Sequence, residues 1–179
     1  MSTGDDVNPP ILNFWSFIGR AKVKLGTYGF IDPLATEVLL TLNRASNIVT
    51  YDLEASVHRP RGWSWSSFRL LFVTWMAGPI EPKSAAELAG MSRAAVSNLS
   101  KPLIANGLLT STPDTRDGRS VRLDLTEEGK RKMLEVFPEQ NERESAWANV
   151  LTEAEQQILV LLLNKLIINR SEFHVRGRT

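Results

Sequence analysis

The sequence predicts a mainly α-helical chain carrying one small β-hairpin, and three observations carry that prediction. Apolar residues recur at spacings of three and four over long stretches near both ends of the 179-residue chain. A central segment, SAAELAGMSRAAVSNLSKPLIANGLL (Ser84–Leu109), holds two helical patterns joined by a tight glycine turn. After it, SVRLDL (Ser120–Leu125) alternates Val121, Leu123 and Leu125 with Arg122 and Asp124, which is strand periodicity.

Each element has its own local signal. In ILNFWSFIGRAKVKL (Ile11–Leu25), Ile11, Phe14, Trp15 and Ile18 lie on one helical face, and GTYG ends the pattern. Asp32 can cap a second helix whose first residue is Pro33, where a missing N–H costs nothing. Val38, Leu42, Ala45, Val49 and Leu53 carry that helix to about His58, before Arg59-Pro60-Arg61-Gly62. So long an apolar stripe needs a partner along its length. Ser64 caps a third helix bearing Phe68, Leu71, Phe72 and Trp75, which fill a core and stop at Gly78-Pro79. A short helix follows around Ser84–Ala89, with Ala85 and Leu88 on its inner face. Ser92 then caps a longer one whose buried face is Val96, Leu99 and Leu103. Pro102 lies inside this helix and predicts a bend past its first turns. LLTST (Leu108–Thr112) and SVRLDL form the hairpin. Thr126 opens a helix that meets Pro138, and Thr152 with Glu155 makes a capping box before the apolar run Ile158–Ile168. The chain divides accordingly into N-terminal helices (1–58), a central module (59–125) and C-terminal helices (126–179).

Composition narrows the function. There is no cysteine, so disulfides, zinc–thiolate sites and thiol redox chemistry are excluded. Residues 59–132 hold twelve basic and seven acidic side chains, net +5, whereas residues 1–58 and 133–179 are each net −2. Positive charge thus concentrates on the central module, the electrostatic footprint of a nucleic-acid binder. Neither end reads as a targeting signal, and the run Ile158–Ile168 is too short to span a bilayer, so a cytoplasmic protein with no membrane partner is expected. With only His58 and His174 and no metal-ligand spacing or phosphate-cradling loop, no catalytic, metal or cofactor site is expected.

The central segment reads as a helix-turn-helix. Ala89-Gly90-Met91 supplies the turn. Opposite the buried face of the second helix lie Arg93, Ala94, Ser97, Asn98 and Lys101, short or cationic side chains suited to a major groove. A helical hairpin with no ligand would share the apolar pattern. The ribbon that follows separates the two readings, because helix-turn-helix plus a two-stranded ribbon with an arginine tip is a winged helix. At that tip, PDTRDGRS (Pro113–Ser120), Asp117-Gly118 forms the turn and Asp114 can hold Arg116, leaving Arg119 for DNA.

These residues resemble the MarR family of bacterial transcription regulators. The resemblance rests on AELAGMSRAAVSNLSKPLIANGLL and on PDTRDGRSVRLDLTEEGK, with Asp114, Arg116, Asp117, Arg119, Leu125, Thr126 and Gly129 matching the wing motif. It is firm from about residue 36 to 132 and extends by topology to the C-terminus, and the segment before residue 32 looks like an added helix. It implies a winged helix-turn-helix joined to a helical dimerisation lobe, a homodimer on a palindromic operator, and a repressor in most cases. It also implies a small, often aromatic anion bound in the crevice between lobes. Carried over residue by residue, Ser92, Arg93, Ser97, Asn98 and Lys101 match the recognition-helix contacts, and Arg116 and Arg119 those of the wing. Gly118 stands where the family often has a basic residue, and Ser67 where a glutamine is common.

A ligand site can be sought among Trp63, Trp65, Arg44, His58 and Arg69, with Arg59 and Arg61 nearby, as indoles and cations around an aromatic acid. His58 alternatively reads as a helix-end histidine stabilised by the helix dipole. The competing function is a winged helix used as a protein-interaction or architectural module without ligand sensing.

Overall fold

A computed structural model of the chain describes residues 13–30, 32–114 and 120–169. Seven α-helices and one hairpin succeed one another in the predicted order: α1 (Phe14–Thr27), α2 (Pro33–Leu53), α3 (Trp65–Ala77), α4 (Pro82–Ala89), α5 (Arg93–Ala105), β1 (Leu109–Pro113), β2 (Val121–Leu125), α6 (Glu127–Ala148) and α7 (Glu153–Ile168). A π-turn at Glu54–His58 and a 3-10 turn at Arg59–Arg61 connect α2 to α3. The chain divides into two compact units, Met1–Val49 and Thr50–Thr179.

In the first unit, Asn13 and Ser16 close a capping box at the start of α1 (2.9 and 3.0 Å). Lys22 reaches Glu37 at 2.6 Å, and the Arg44 guanidinium lies 5.7 Å from the centre of the Phe14 ring. Asp32 caps α2 through the Ala35 amide (2.9 Å). Of the α1 face read from sequence, Ile18 is buried and Trp15 is 66% exposed; Ile11 lies outside the described residues. Along the α2 stripe only Leu53 is buried.

The second unit holds the core. Leu70, Leu71, Val96, Leu109, Met133 and Val136 are almost fully enclosed. Beside them an aromatic column runs His58–Phe68–Phe72–Phe137–Trp75, with successive ring centres 4.1 to 5.9 Å apart. The hairpin pairs antiparallel in the register Leu109↔Leu125 to Pro113↔Val121, burying Leu109, Leu123 and Leu125 on one face. Ile80 adds two backbone bonds to Leu123 (2.9 and 2.8 Å), fixing the hairpin to the end of α3.

Two expectations are corrected. Leu88 is 65% exposed, and α4 instead packs through Ala85, Ala86 and Ala89. Three alanines leave room for the close approach of α3 and α5, so a leucine on that face would hold the helices apart. The helix after Thr126 does not stop at Pro138: α6 continues to Ala148. The lost backbone bond costs about 3 kcal/mol. Contacts on both sides of the proline offset it, since Val136 and Gln140 are buried and Arg143 holds Asp52 through two bonds of 2.6 Å.

Candidate nucleic-acid interface

The helix-turn-helix is built by α4, its turn and α5. Gly90 adopts φ +61 at the end of α4, a conformation that side chains resist. The Arg69 guanidinium fills the space beside it: a Cβ on Gly90 would sit 2.9 Å from Arg69 Nη2. Met91 is buried and donates its amide to Ala86 O (2.8 Å). The Ser92 hydroxyl accepts the Ala95 amide (3.1 Å), so this serine caps the N-terminus of α5.

Burial divides α5 into two faces. Val96, Ser100 and Leu103 are buried, with Leu99 half-buried beside them. Arg93, Ala94, Ser97, Asn98 and Lys101 are all exposed. These positions recur at i, i+4 and i+8, so they form one continuous polar stripe without a large apolar side chain. The helix runs through Pro102 to Ala105.

The described part of the wing ends in an ordered closure. Asp114 is 8% exposed, donates its amide to Ser120 O (2.8 Å), and its carboxylate meets Arg122 Nε at 3.3 Å. Arg122 alternates outward on β2, and its role as the partner of Asp114 was legible only once Thr112↔Arg122 fixed the register. Arg116, Asp117, Gly118 and Arg119 lie outside the described residues, and with them the expected Asp114–Arg116 pair.

Of the ligand candidates, Trp63, Trp65, His58 and Arg69 belong to the second unit and Arg44 to the first. His58 and Trp65 are neighbours, with ring centres 5.7 Å apart. Trp63 is 9% exposed within the core, and Arg69 supports the Gly90 turn. Arg44 belongs to the first unit, over Phe14. His58 is not a dipole-stabilised cation at a helix end. It has no exposed surface, and among the described residues neither ring nitrogen has a hydrogen-bond partner. Burial pushes its imidazole down to about 4, so it is neutral at neutral pH.

Sequence reasoning missed a polar seam between the end of α2 and α6. Asp52 accepts two bonds from Arg143 and one from Trp147 Nε1 (2.7 Å), and these hold its carboxyl at about 2. Arg61 meets Glu139 at 2.5 Å. Glu54 accepts the Trp65 amide (2.8 Å), satisfying an orphan donor at the start of α3, and this bond lowers its pKa. Among the described residues no cluster of His, Asp or Glu could hold a metal ion, and no helix is long and apolar enough to cross a membrane.

Comparison with known proteins agrees with this architecture. The sequence model of the MarR family matches residues 63–121. The chain is 33% identical over 135 residues to YwaE of Bacillus subtilis, an uncharacterised HTH-type transcriptional regulator, covering 75% of this chain and 79% of that one. It is 26% identical over 149 residues to the HTH-type transcriptional repressor YetL of the same organism, covering 82% and 89%. Among solved structures it is similar to a MarR family regulator from Silicibacter pomeroyi (TM-score 0.69, 21% identity, 81% of this chain and 97% of that one). It is also similar to BpsR of Bordetella bronchiseptica, whose DNA binding is regulated by 6-hydroxynicotinic acid (TM-score 0.67, 22% identity, 72% and 91%).

Proposed function

Because the chain belongs to the MarR family of DNA-binding transcriptional regulators, we propose that it acts as a homodimeric repressor of a palindromic operator, released by a small aromatic acid. The observation that carries the DNA-reading part is the exposed stripe Arg93, Ser97, Asn98 and Lys101 on a helix whose other face is locked into the core. A protein-docking face would present large apolar anchors, and this one presents none. In this reading Ser92 and Arg93 enter the major groove with Ser97, Asn98 and Lys101, and Arg116 and Arg119 on the wing meet the adjacent minor groove.

Two unpartnered apolar surfaces support the homodimer. No residue of α7 is buried, and Ile158, Val160, Leu161, Ile167 and Ile168 are each more than half exposed. The α2 stripe is likewise open at Val38. A two-fold dimer presents paired recognition helices to two half-sites, which is why the operator is a palindrome. The repressor role draws on YetL, and the aromatic acid on BpsR. The site of action is cytoplasmic.

The test is a binding titration on DNA upstream of the chain's own reading frame across a salt series. Affinity should fall steeply as salt rises, because phosphate contacts release counterions. Arg93→Ala and Arg119→Ala should each weaken binding by about 1–3 kcal/mol with the dimer intact in sedimentation. Salt-independent binding would contradict the reading.

A further inference from the structure

We propose that His58 and Gln140 form a proton-operated latch that seats α3, and that its release in acid lowers DNA affinity. The inference rests on the DNA-reading part of the function proposed above and adds to it a signal that needs no small molecule. His58 ends the π-turn that follows α2, Gln140 lies on α6, and both side chains are fully buried. Both are also short of partners. Among the described residues neither ring nitrogen of His58 nor Oε1 of Gln140 has a hydrogen bond, and the Gln140 carboxamide is held through Nε2, which donates to Glu144 (2.7 Å). Buried polar groups are nearly always paired, and π-turns concentrate at working sites, so two exceptions at one turn call for a role.

The surroundings hold the ring neutral while keeping a place for a proton. From α3 come the rings of Phe68 and Trp65, with centres 4.1 and 5.7 Å away. Burial is the main force against a charge on the imidazole, and Arg61 on the 3-10 turn adds to it. Three groups favour the imidazolium: the Gln140 carboxamide, whose Oε1 can accept from the ring, and the carboxylates of Glu54 in the π-turn and Glu139 on α6. Both carboxylates are already engaged, Glu54 by Arg59 (3.1 Å) and the Trp65 amide, Glu139 by Arg61. A proton therefore enters when the turn opens far enough to hydrate the ring, and the charged ring resists going back.

The same turn holds α3 in place, which is how the proton reaches DNA. The His58 carbonyl accepts the Trp63 amide (3.0 Å) and Glu54 accepts that of Trp65, so the entry to α3 hangs on both ends of the π-turn. One residue past Phe68, Arg69 lies against the Gly90 turn of the helix-turn-helix, with Nη2 2.9 Å from where a Cβ would stand. Gln140 supplies a second route, because α6 is seated on the end of α5. The Thr126 hydroxyl bonds the Gly107 carbonyl (2.6 Å), and Gly129 completes the joint, since a Cβ there would overlap the Leu108 carbonyl oxygen. Release of the latch thus loosens α5 at its leading turn and at its far end. A loosened helix must be ordered again on DNA, which weakens binding.

The experiment is fluorescence-anisotropy titration of the full chain with DNA from upstream of its own reading frame, at one salt concentration and at pH 7.5, 6.0 and 5.0. Near-ultraviolet circular dichroism is recorded at each pH. An imidazole that titrates near 4 when latched and near 6.5 when hydrated favours release about thirtyfold more at pH 5.0 than at 7.5. Affinity should therefore fall between about threefold and about thirtyfold over that interval. His58→Phe keeps the stack without the proton, and should bind as the parent does at pH 7.5 and lose the fall. Gln140→Leu removes the acceptor and should move the fall to lower pH. Replacing the only other histidine, His174→Asn, should leave the fall intact. Absence of the fall from the parent, its persistence in His58→Phe, its loss in His174→Asn, or a fall that tracks loss of dichroism overturns the latch while the DNA reading stands. A parent that binds no DNA at any pH overturns both.

Discussion

The unit from Thr50 onward contains two regions that obey opposite rules. Residues 65–126 bury Leu70, Leu71, Val96 and Leu109 almost completely against their own chain. Helix α7 is more apolar than most of that region, yet buries nothing. The first region has a sufficient core of its own. The second has the composition of a core without the rest of one, and a helix apolar on all sides is stable only when covered. The fold thus separates a lobe that is rigid within one chain from a helix that the proposed dimer would cover.

The largest expected effect tests the second rule. Leu161→Asp with Ile168→Asp should abolish the proposed dimer in sedimentation equilibrium, since charged groups cannot be buried unpaired. Near-ultraviolet circular dichroism of the tryptophans around Phe72 should persist; its loss would mean that the two regions are not separable. Next, Leu71→Ala should cost about 2–5 kcal/mol by leaving a cavity in a fully enclosed site. That loss should show as a lowered melting temperature of the reading lobe in both monomeric and dimeric preparations.

The third effect is pH-dependent. His58 titrates near 4 in the folded chain and near 6.5 when unfolded, so the unfolded state takes up the proton first as pH falls. The stability contributed by the neutral imidazole is complete above pH 6.5, declines through the interval down to about 4, and is constant for this group below it. The interval corresponds to about 3 kcal/mol. Denaturant melts at pH 7.5 and 5.0 should reveal the slope, and His58→Phe, which preserves the stack on Phe68, should flatten it. An unchanged slope would assign the acid sensitivity to other groups. The smallest effect is Leu88→Ala, expected within about 0.5 kcal/mol in the same melts because the side chain is solvated; a larger loss would restore it to the core.

Much of this was legible because it is local. Ser64, Ser92, Thr126 and Thr152 each cap the helix that follows, since a side-chain oxygen and an amide three residues on suffice. The hairpin was legible from alternation alone. What escaped depends on distance. Asp52 and Arg143 are 91 residues apart, and neither carries a local sign of the other. Pro138 reads as a stop until the packing around Val136 and Gln140 is known. His58 reads from sequence as a helix-end histidine stabilised by the helix dipole, whereas the π-turn directs it onto Phe68. Of the interface, the recognition-helix face was readable residue by residue, and the pairing of Asp114 with Arg122 required the strand register.

Gly129 has one more consequence, which is mechanical. It seats the first turn of α6 directly on the carbonyl of Leu108, and α6 then runs unbroken for 22 residues to Ala148. At 1.5 Å per residue the helix is about 33 Å long, so a tilt of about 5° at its seat sweeps its far end through roughly 3 Å. The joint is a fulcrum and α6 the lever arm, able to turn a sub-ångström adjustment beside the wing into a displacement as large as an atom at the base of α7.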